Sequence, residues 1–228
     1  MRFLPWWAVV SSACAPLFLV GGWAVAAVLE GPGYDPATET ISVLAADGAA
    51  GRGVLTVALV ALGVCHVVTA YGLRLAATPG RVALGCGGLA VIGMALAPVP
   101  RSGGSLTHGW VVGVGFALMA VWPVLAASAS ASANTDASAR GRAVPWALRL
   151  SVSLVVCLSM GAGALWFLGE LHRHGADGVA ERVLTAVQTV WPLVVVLSCL
   201  RREPPARPRR WTGPRDASRD DASRDDVT

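Results

Sequence analysis

Residues 53–75 read GVLTVALVALGVCHVVTAYGLRL, a run with no charged residue before Arg74. A helix needs about 20 mostly apolar residues to cross a hydrocarbon core about 30 Å thick, and this run meets that length. Five more runs of the same kind follow or precede it: 7–29, 81–99, 107–127, 144–168 and 182–200. A soluble domain has no use for six such stretches. The chain therefore reads as all-α, a polytopic six-helix membrane bundle over residues 1–200, followed by a polar tail over 201–228.

Composition agrees. Hydrophobic residues form 54% of the chain and charged residues 14%, against about 25% charged in an average soluble domain. The formal charge of +4 comes with 18 basic residues, all of them Arg. They border the apolar runs instead of clustering on one folded face, so a nucleic-acid partner is not expected. The five cysteines sit apart within the runs and show no CxxC spacing, which indicates neither a zinc site nor a disulfide framework. We read them as small apolar packing residues. The first run follows Arg2 and contains Ser11-Ser12-Ala13-Cys14, faintly like a lipoprotein cleavage box. It continues well beyond the about 7–15 residues of a signal h-region, so it is read as the first transmembrane helix.

Arginine counts set the expected topology. With the N-terminus inside, the inner segments carry Arg2, Arg74, Arg81, Arg140, Arg142 and Arg149, and the tail adds Arg201, Arg202, Arg207, Arg209 and Arg210. Only Arg52, Arg101, Arg173 and Arg182 fall outside. This bias predicts both termini in the cytoplasm of a multi-pass plasma-membrane protein. The tail is expected to be disordered for want of apolar residues, and its first arginines to attract anionic lipids. The inner segment 128–142 reads as a small-residue polar linker. Trp6, Trp7 and Trp146 fall at the expected inner boundary and Trp110 and Trp166 at the outer one, whereas Trp23, Trp122 and Trp191 are expected to pack between helices. Glycines at 85, 87, 88, 109, 113, 161 and 163 are expected to let helices approach closely, including the GxxxG pair Gly109/Gly113.

Residues able to carry chemistry collect toward the outside. In the first external loop, Asp35-Pro36 has the form of a helix start. The spacing predicts a short amphipathic helix over Ala37–Ala46, ended by Gly48, resting on the membrane or lidding the bundle mouth. His66 is an ionisable group at mid-span, where the default reading is a functional site. His108 opens the fourth run, well over about 10 Å shallower by helical rise, so the two imidazoles are not expected to share one ion. Glu181 has a structural reason at a helix N-terminus, whereas Glu170 lacks one and is expected near Arg101, Arg173 or His108. Pro192 is expected to kink the sixth helix. The candidate ligand-binding set is thus Tyr34, Asp35, Glu39, Ser42, His66, His108, Glu170 and Glu181. No cofactor is called for, and no HxxxH or HExxH pattern, phosphate loop or nucleophile elbow is present.

The segment Tyr34-Asp35-Pro36 leading into Ile41-Ser42-Val43-Leu44, His108-Gly109, and Gly178-Val179-Ala180-Glu181-Arg182 before Trp191-Pro192 resemble a prokaryotic membrane family, domain of unknown function 998. The resemblance covers about residues 7–200. It implies the six-span topology and brings no established activity, so it assigns no catalytic residue. Two function classes follow from the residues: a non-enzymatic protein binding a lipid headgroup or small polar ligand, in transport or sensing, or a hydrolase or lipid-modifying enzyme using His and carboxylate groups at the outer leaflet. A membrane-protein partner or self-association is a third use of such helices.

Overall fold

The computed structural model describes residues 4–97, 105–138 and 144–201. Among them are six long helices: α1 (Trp6–Glu30), α2 (Arg52–Gly72), α3 (Thr78–Leu96), α4 (Leu106–Ser138), α5 (Leu150–Arg173) and α6 (Asp177–Leu200). All six are long and apolar enough to cross a bilayer, where a helix satisfies its own backbone hydrogen bonds. Each packs on its neighbour in the chain, and α6 returns to pack on α1, closing the ring. The expectations for the tail beyond Arg201 and for Arg101, Arg140 and Arg142 lie outside the described residues.

Helix ends depart from the hydropathy runs where polar residues join a helix. α6 starts at Asp177 rather than Arg182 because its first turn serves the loop described below. α4 continues through the stretch expected to be a linker, as far as Ser138; its alanines have the highest helix propensity. The fifth run instead begins with a single 3-10 turn, Trp146–Leu148, before α5.

One apolar cluster joins Leu4 and Ala8 to Leu73, Ala83, Trp122, Leu148 and Cys199. It gathers the starts of α1 and α3, the turn before α5, the middle of α4 and the ends of α2 and α6, so both terminal helices meet there: this is the terminal end. At the opposite, loop end, Leu19, Ala26, Leu55, Leu59 and Leu62 pack with Tyr34, Ile41 and Leu44 of the 31–51 connection. The outward surface is apolar too, as Leu158 and Leu165 show at 70% and 72% exposure. That is the inverse of a soluble surface and suits lipid.

Small residues set the closest crossing. A methyl at Gly63 would stand 2.5 Å from the Gly88 carbonyl oxygen, and one at Gly88 would stand 2.6 Å from that of Gly63. The α2–α3 backbones touch there as the glycine content predicts. Gly109, Gly113 and Gly161 behave otherwise: an added methyl would meet nothing within 4 Å. The GxxxG pair of α4 thus makes no close crossing among the described residues. Arg81 secures the terminal end by donating from Nε to the Ala70 carbonyl at 2.9 Å and from Nη2 to that of Tyr71 at 3.0 Å. These bonds satisfy carbonyls left open at the end of α2.

Candidate functional site: a docked loop and a cavity beside His66

The loop from Gly31 to Gly51 does not form the amphipathic helix its pattern predicts. Asp35 starts a single turn, accepting from the Ala37 N–H through Oδ1 at 3.0 Å and from the Thr38 hydroxyl through Oδ2 at 2.9 Å. Those two bonds hold its carboxyl below the ordinary value of 3.8. Thr40 is then extended, and a 3-10 helix, Ile41–Ala45, follows. The expected facing survives the change: Ile41 and Leu44 are buried, whereas Val43 is exposed. Docking selects the shape. The Tyr34 hydroxyl donates toward the Glu39 and Thr40 carbonyls at 3.2 Å, and α6 claims the remaining groups.

Two consecutive residues of α6 make that claim. The Glu181 carboxylate is 6% exposed and accepts the Ile41 N–H at 2.5 Å and the Ser42 hydroxyl at 3.5 Å. Arg182 Nη1 donates to the carbonyls of Pro36 at 2.8 Å, Glu39 at 3.1 Å and Gly178 at 2.8 Å. Its Nη2 donates to the Tyr34 hydroxyl. The guanidinium carbon lies 5.0 Å from the Trp23 ring centre and 5.8 Å from that of Tyr34, within cation–π range. Burial pushes the Tyr34 phenol above its ordinary value of 10, against the opposing pull of Arg182. Gly178 supplies room: a methyl there would land on the Pro36 and Glu39 carbonyl oxygens. The Val179 N–H also donates to the Ala37 carbonyl at 3.2 Å.

Tyr34, Glu39, Ser42 and Glu181 therefore come together, with Asp35 alongside through the bond from its N–H to Glu39 Oε2 at 2.8 Å. The other three candidates lie elsewhere. Glu170 accepts the Ala176 N–H at 3.0 Å and pairs loosely with Arg173 at 3.8 Å, closing the α5–α6 turn. Arg173 is one of the three expected partners; the bond from the Ala176 N–H is the part the sequence did not reveal. His108 Nδ1 bonds the Ala97 carbonyl at 3.0 Å, tying α4 to the end of α3, while its Nε2 is buried without a partner among the described residues. Arg182 and Trp23 were missed as members. The signal for Arg182 was a lone cation in the first turns of an apolar helix, four residues after Gly178.

His66 lies below the loop, 1% exposed, on the wall of a cavity of about 50 Å³ within the ring. Leu19, Leu59, Val91, Val112, Phe116 and Met119 give that cavity an apolar character. Its polar members are His66, Thr185, Gln188 and Thr189. The His66 Nδ1 has no hydrogen-bond partner among the described residues. Gln188 Nε2 donates to the Phe116 carbonyl at 3.2 Å. Among the described residues, no Asp, Glu, Arg or Cys lines the cavity. Among the described residues, no three His, Cys, Asp or Glu side chains are grouped to hold a metal ion.

A ring of six apolar helices around a small, mostly apolar cavity, with an inter-helix loop docked at one end, defines a polytopic integral membrane protein. Residues 12–198 match the model of the family described as protein of unknown function (DUF998), and the chain belongs to that family. The two longest motifs that carry the resemblance, 34–44 and 178–182, are the two sides of the loop contact. No curated protein and no solved structure matches the chain.

Proposed function

We propose that the protein binds a small uncharged polar solute, or the uncharged part of a lipid headgroup, within the ring, in a transport or sensing role. The observation that carries this reading is the buried His66 Nδ1, without a hydrogen-bond partner among the described residues, on a cavity wall in a lipid-facing bundle. A buried polar group left unpaired costs about 1–3 kcal/mol, and a ligand bonding to it would recover part of that. An imidazole, an amide and two hydroxyls suit hydroxyl or carbonyl groups, and the uncharged lining disfavours an ion. Latched by Glu181 and Arg182, the 31–51 loop serves as the lid. The outer candidates thereby act on access, because their own hydrogen-bonding groups already hold the loop. In this reading the loop end faces outward from the plasma membrane, and the arginines after α6 meet anionic lipid.

The test is thermal unfolding of the detergent-purified chain titrated with glycerol and with monoolein. A site-specific ligand at 100 times its Kd stabilises by about 2.7 kcal/mol, a rise of several degrees. His66→Ala and Gln188→Ala should each abolish that rise. No shift with either probe, or equal shifts in both variants, would refute the assignment.

A further inference from the structure

The cavity beside His66 is walled by five helices, not six. Its lining comes from α1, α2, α3, α4 and α6; among the described residues, none on α5 contributes. α5 packs instead on the outside, against α4 and α6. Its buried residues, Ser153, Met160 and Phe167, fall seven apart and so form one narrow stripe. Only 17% of its apolar span is buried, against 50% for α2. The two helices it covers approach each other loosely, the Gln188 amide of α6 reaching the Phe116 carbonyl of α4 at 3.2 Å. Over that seam Phe167 meets Phe116 edge-on, ring centres 6.0 Å apart, and Leu184 packs beside them.

Size and chemistry limit what the cavity takes. A dry apolar cavity of about 150 Å³ holds a benzene ring. One of about 50 Å³ holds a few heavy atoms, the end of a molecule instead of a whole ring or polyol. Leu62, Val91, Val112 and Met119 offer that end nothing to bond. Thr185 is already engaged, its hydroxyl donating to the Glu181 and Arg182 carbonyls at 2.7 and 3.2 Å. His66 is the group in want of a partner: the side chain is 1% exposed and its Nδ1 has none among the described residues. A hydroxyl both donates and accepts, so it pairs with Nδ1 whichever ring nitrogen carries the hydrogen. A carbonyl or ester oxygen only accepts, and pairs with one tautomer alone.

On the strength of the binding reading above, we infer that the cavity receives the terminal hydroxyl of a long-chain alcohol dissolved in the bilayer, which enters between α4 and α6 as α5 moves aside at Phe167. The hydroxyl bonds His66 Nδ1, and the first carbons fill the space beside Leu62 and Met119. The rest of the chain leaves through the seam and stays in lipid along α5. Phe116 lies ten residues into α4 and Leu184 seven residues into α6. At about 1.5 Å rise per residue, the seam is therefore about 10–15 Å in from the loop end, at the depth of the hydrocarbon. A molecule in the bilayer reaches it without passing the latched 31–51 loop. Its tail never leaves an apolar medium, while its hydroxyl, which lipid leaves unbonded, gains a partner. Recognition thus rests on one hydrogen bond inside an apolar mould.

The experiment adds 1-tetradecanol carrying a diazirine beside its hydroxyl end to the full chain in nanodiscs, photolyses it, and maps the labelled residues by mass spectrometry. Label should collect on Leu62, Val112 and Met119, and excess plain tetradecanol should displace it, whereas tetradecane should not. Label on Leu158 and Leu165, which face lipid, should respond to neither competitor. Losing one buried hydrogen bond, His66→Ala should lower the lining label about tenfold. Phe167→Ala should speed its appearance severalfold, and Gly109→Ala, in open space, should change nothing. Label confined to the lipid-facing residues would overturn the site, as would equal displacement by tetradecane, a result that needs no variant to fold. Faster lining label in Arg182→Ala but not in Phe167→Ala would overturn the entry between α4 and α6. A glycerol-induced thermal shift lost in His66→Ala, without any lining label, would sink the alcohol and leave the binding reading standing. Absence of both lining label and every thermal shift would remove both.

Discussion

Replacing Arg182 with alanine removes one guanidinium from four acceptors: the Pro36, Glu39 and Gly178 carbonyls and the Tyr34 hydroxyl. It also removes the cation resting over Trp23 and Tyr34. A hydrogen bond from a charged donor contributes about 1.5–3 kcal/mol, and an exposed cation–π contact about 0.5–1 kcal/mol. The residue is only half-buried and these contributions overlap, so the docking loss is about 2–4 kcal/mol rather than their sum. Ile41 and Leu44 remain apolar and α6 remains helical, so the loss should appear as local opening of the loop. Hydrogen–deuterium exchange on protein in nanodiscs reads this directly at the Ile41 and Val179 amides. At about 1.4 kcal/mol per tenfold change, exchange should accelerate roughly 30- to 700-fold at both, with α2 unaffected. Unchanged protection at Ile41 and Val179 would show that burial alone seats the loop and that the Arg182 contacts are incidental.

Gly178→Ala places a methyl against the Pro36 and Glu39 carbonyls, so it should accelerate exchange at the same two amides, whereas Gly109→Ala should not. Overpacking typically costs about 1–3 kcal/mol, which thermal unfolding of the two variants measures side by side. Gly88→Ala, pressing on the Gly63 carbonyl, should lower the melting temperature while leaving loop protection intact. Asp35 supplies a pH dependence. Its carboxyl is held below the ordinary 3.8 by the Ala37 and Thr38 bonds, so its support for the loop is complete above that value and fades as pH falls further. Loop protection at Ala37 should therefore weaken below about pH 4 in the native chain, and Asp35→Asn should flatten the Asp35 share of that response.

The six spans were legible because hydropathy and length alone decide them, and lipid leaves a backbone few alternatives. The ends were less so: Asp177–Glu181 is polar, and its helicity follows from the loop it binds, 140 residues away. The same separation hid the geometry of the 31–51 loop. Its local spacing asked for a helix, and tertiary docking on Glu181 and Arg182 imposed an extended residue at Thr40. Of the candidate residues, Tyr34, Glu39, Ser42 and Glu181 meet because they share one contact, whereas Glu170 and His108 were marked by residue type alone. Type does not distinguish a carboxylate that closes a turn from one that faces a ligand. His66 was conspicuous from depth in the run, but the cavity beside it depends on how six helices close, which no single stretch encodes.

The closure of the ring by α6 has a consequence for synthesis. Ile41 must wait for Glu181, 140 residues later, and at about 5–20 residues per second that delay is roughly 7–28 s. Throughout it, the Ile41 N–H and the Pro36 and Glu39 carbonyls lack their α6 partners, so the nascent chain exposes loop backbone groups that Glu181 and Arg182 later bind. A premature stop before Glu181 would make that exposure permanent. Quality-control proteases should accordingly clear such a fragment faster than one carrying an equally severe lesion in α5.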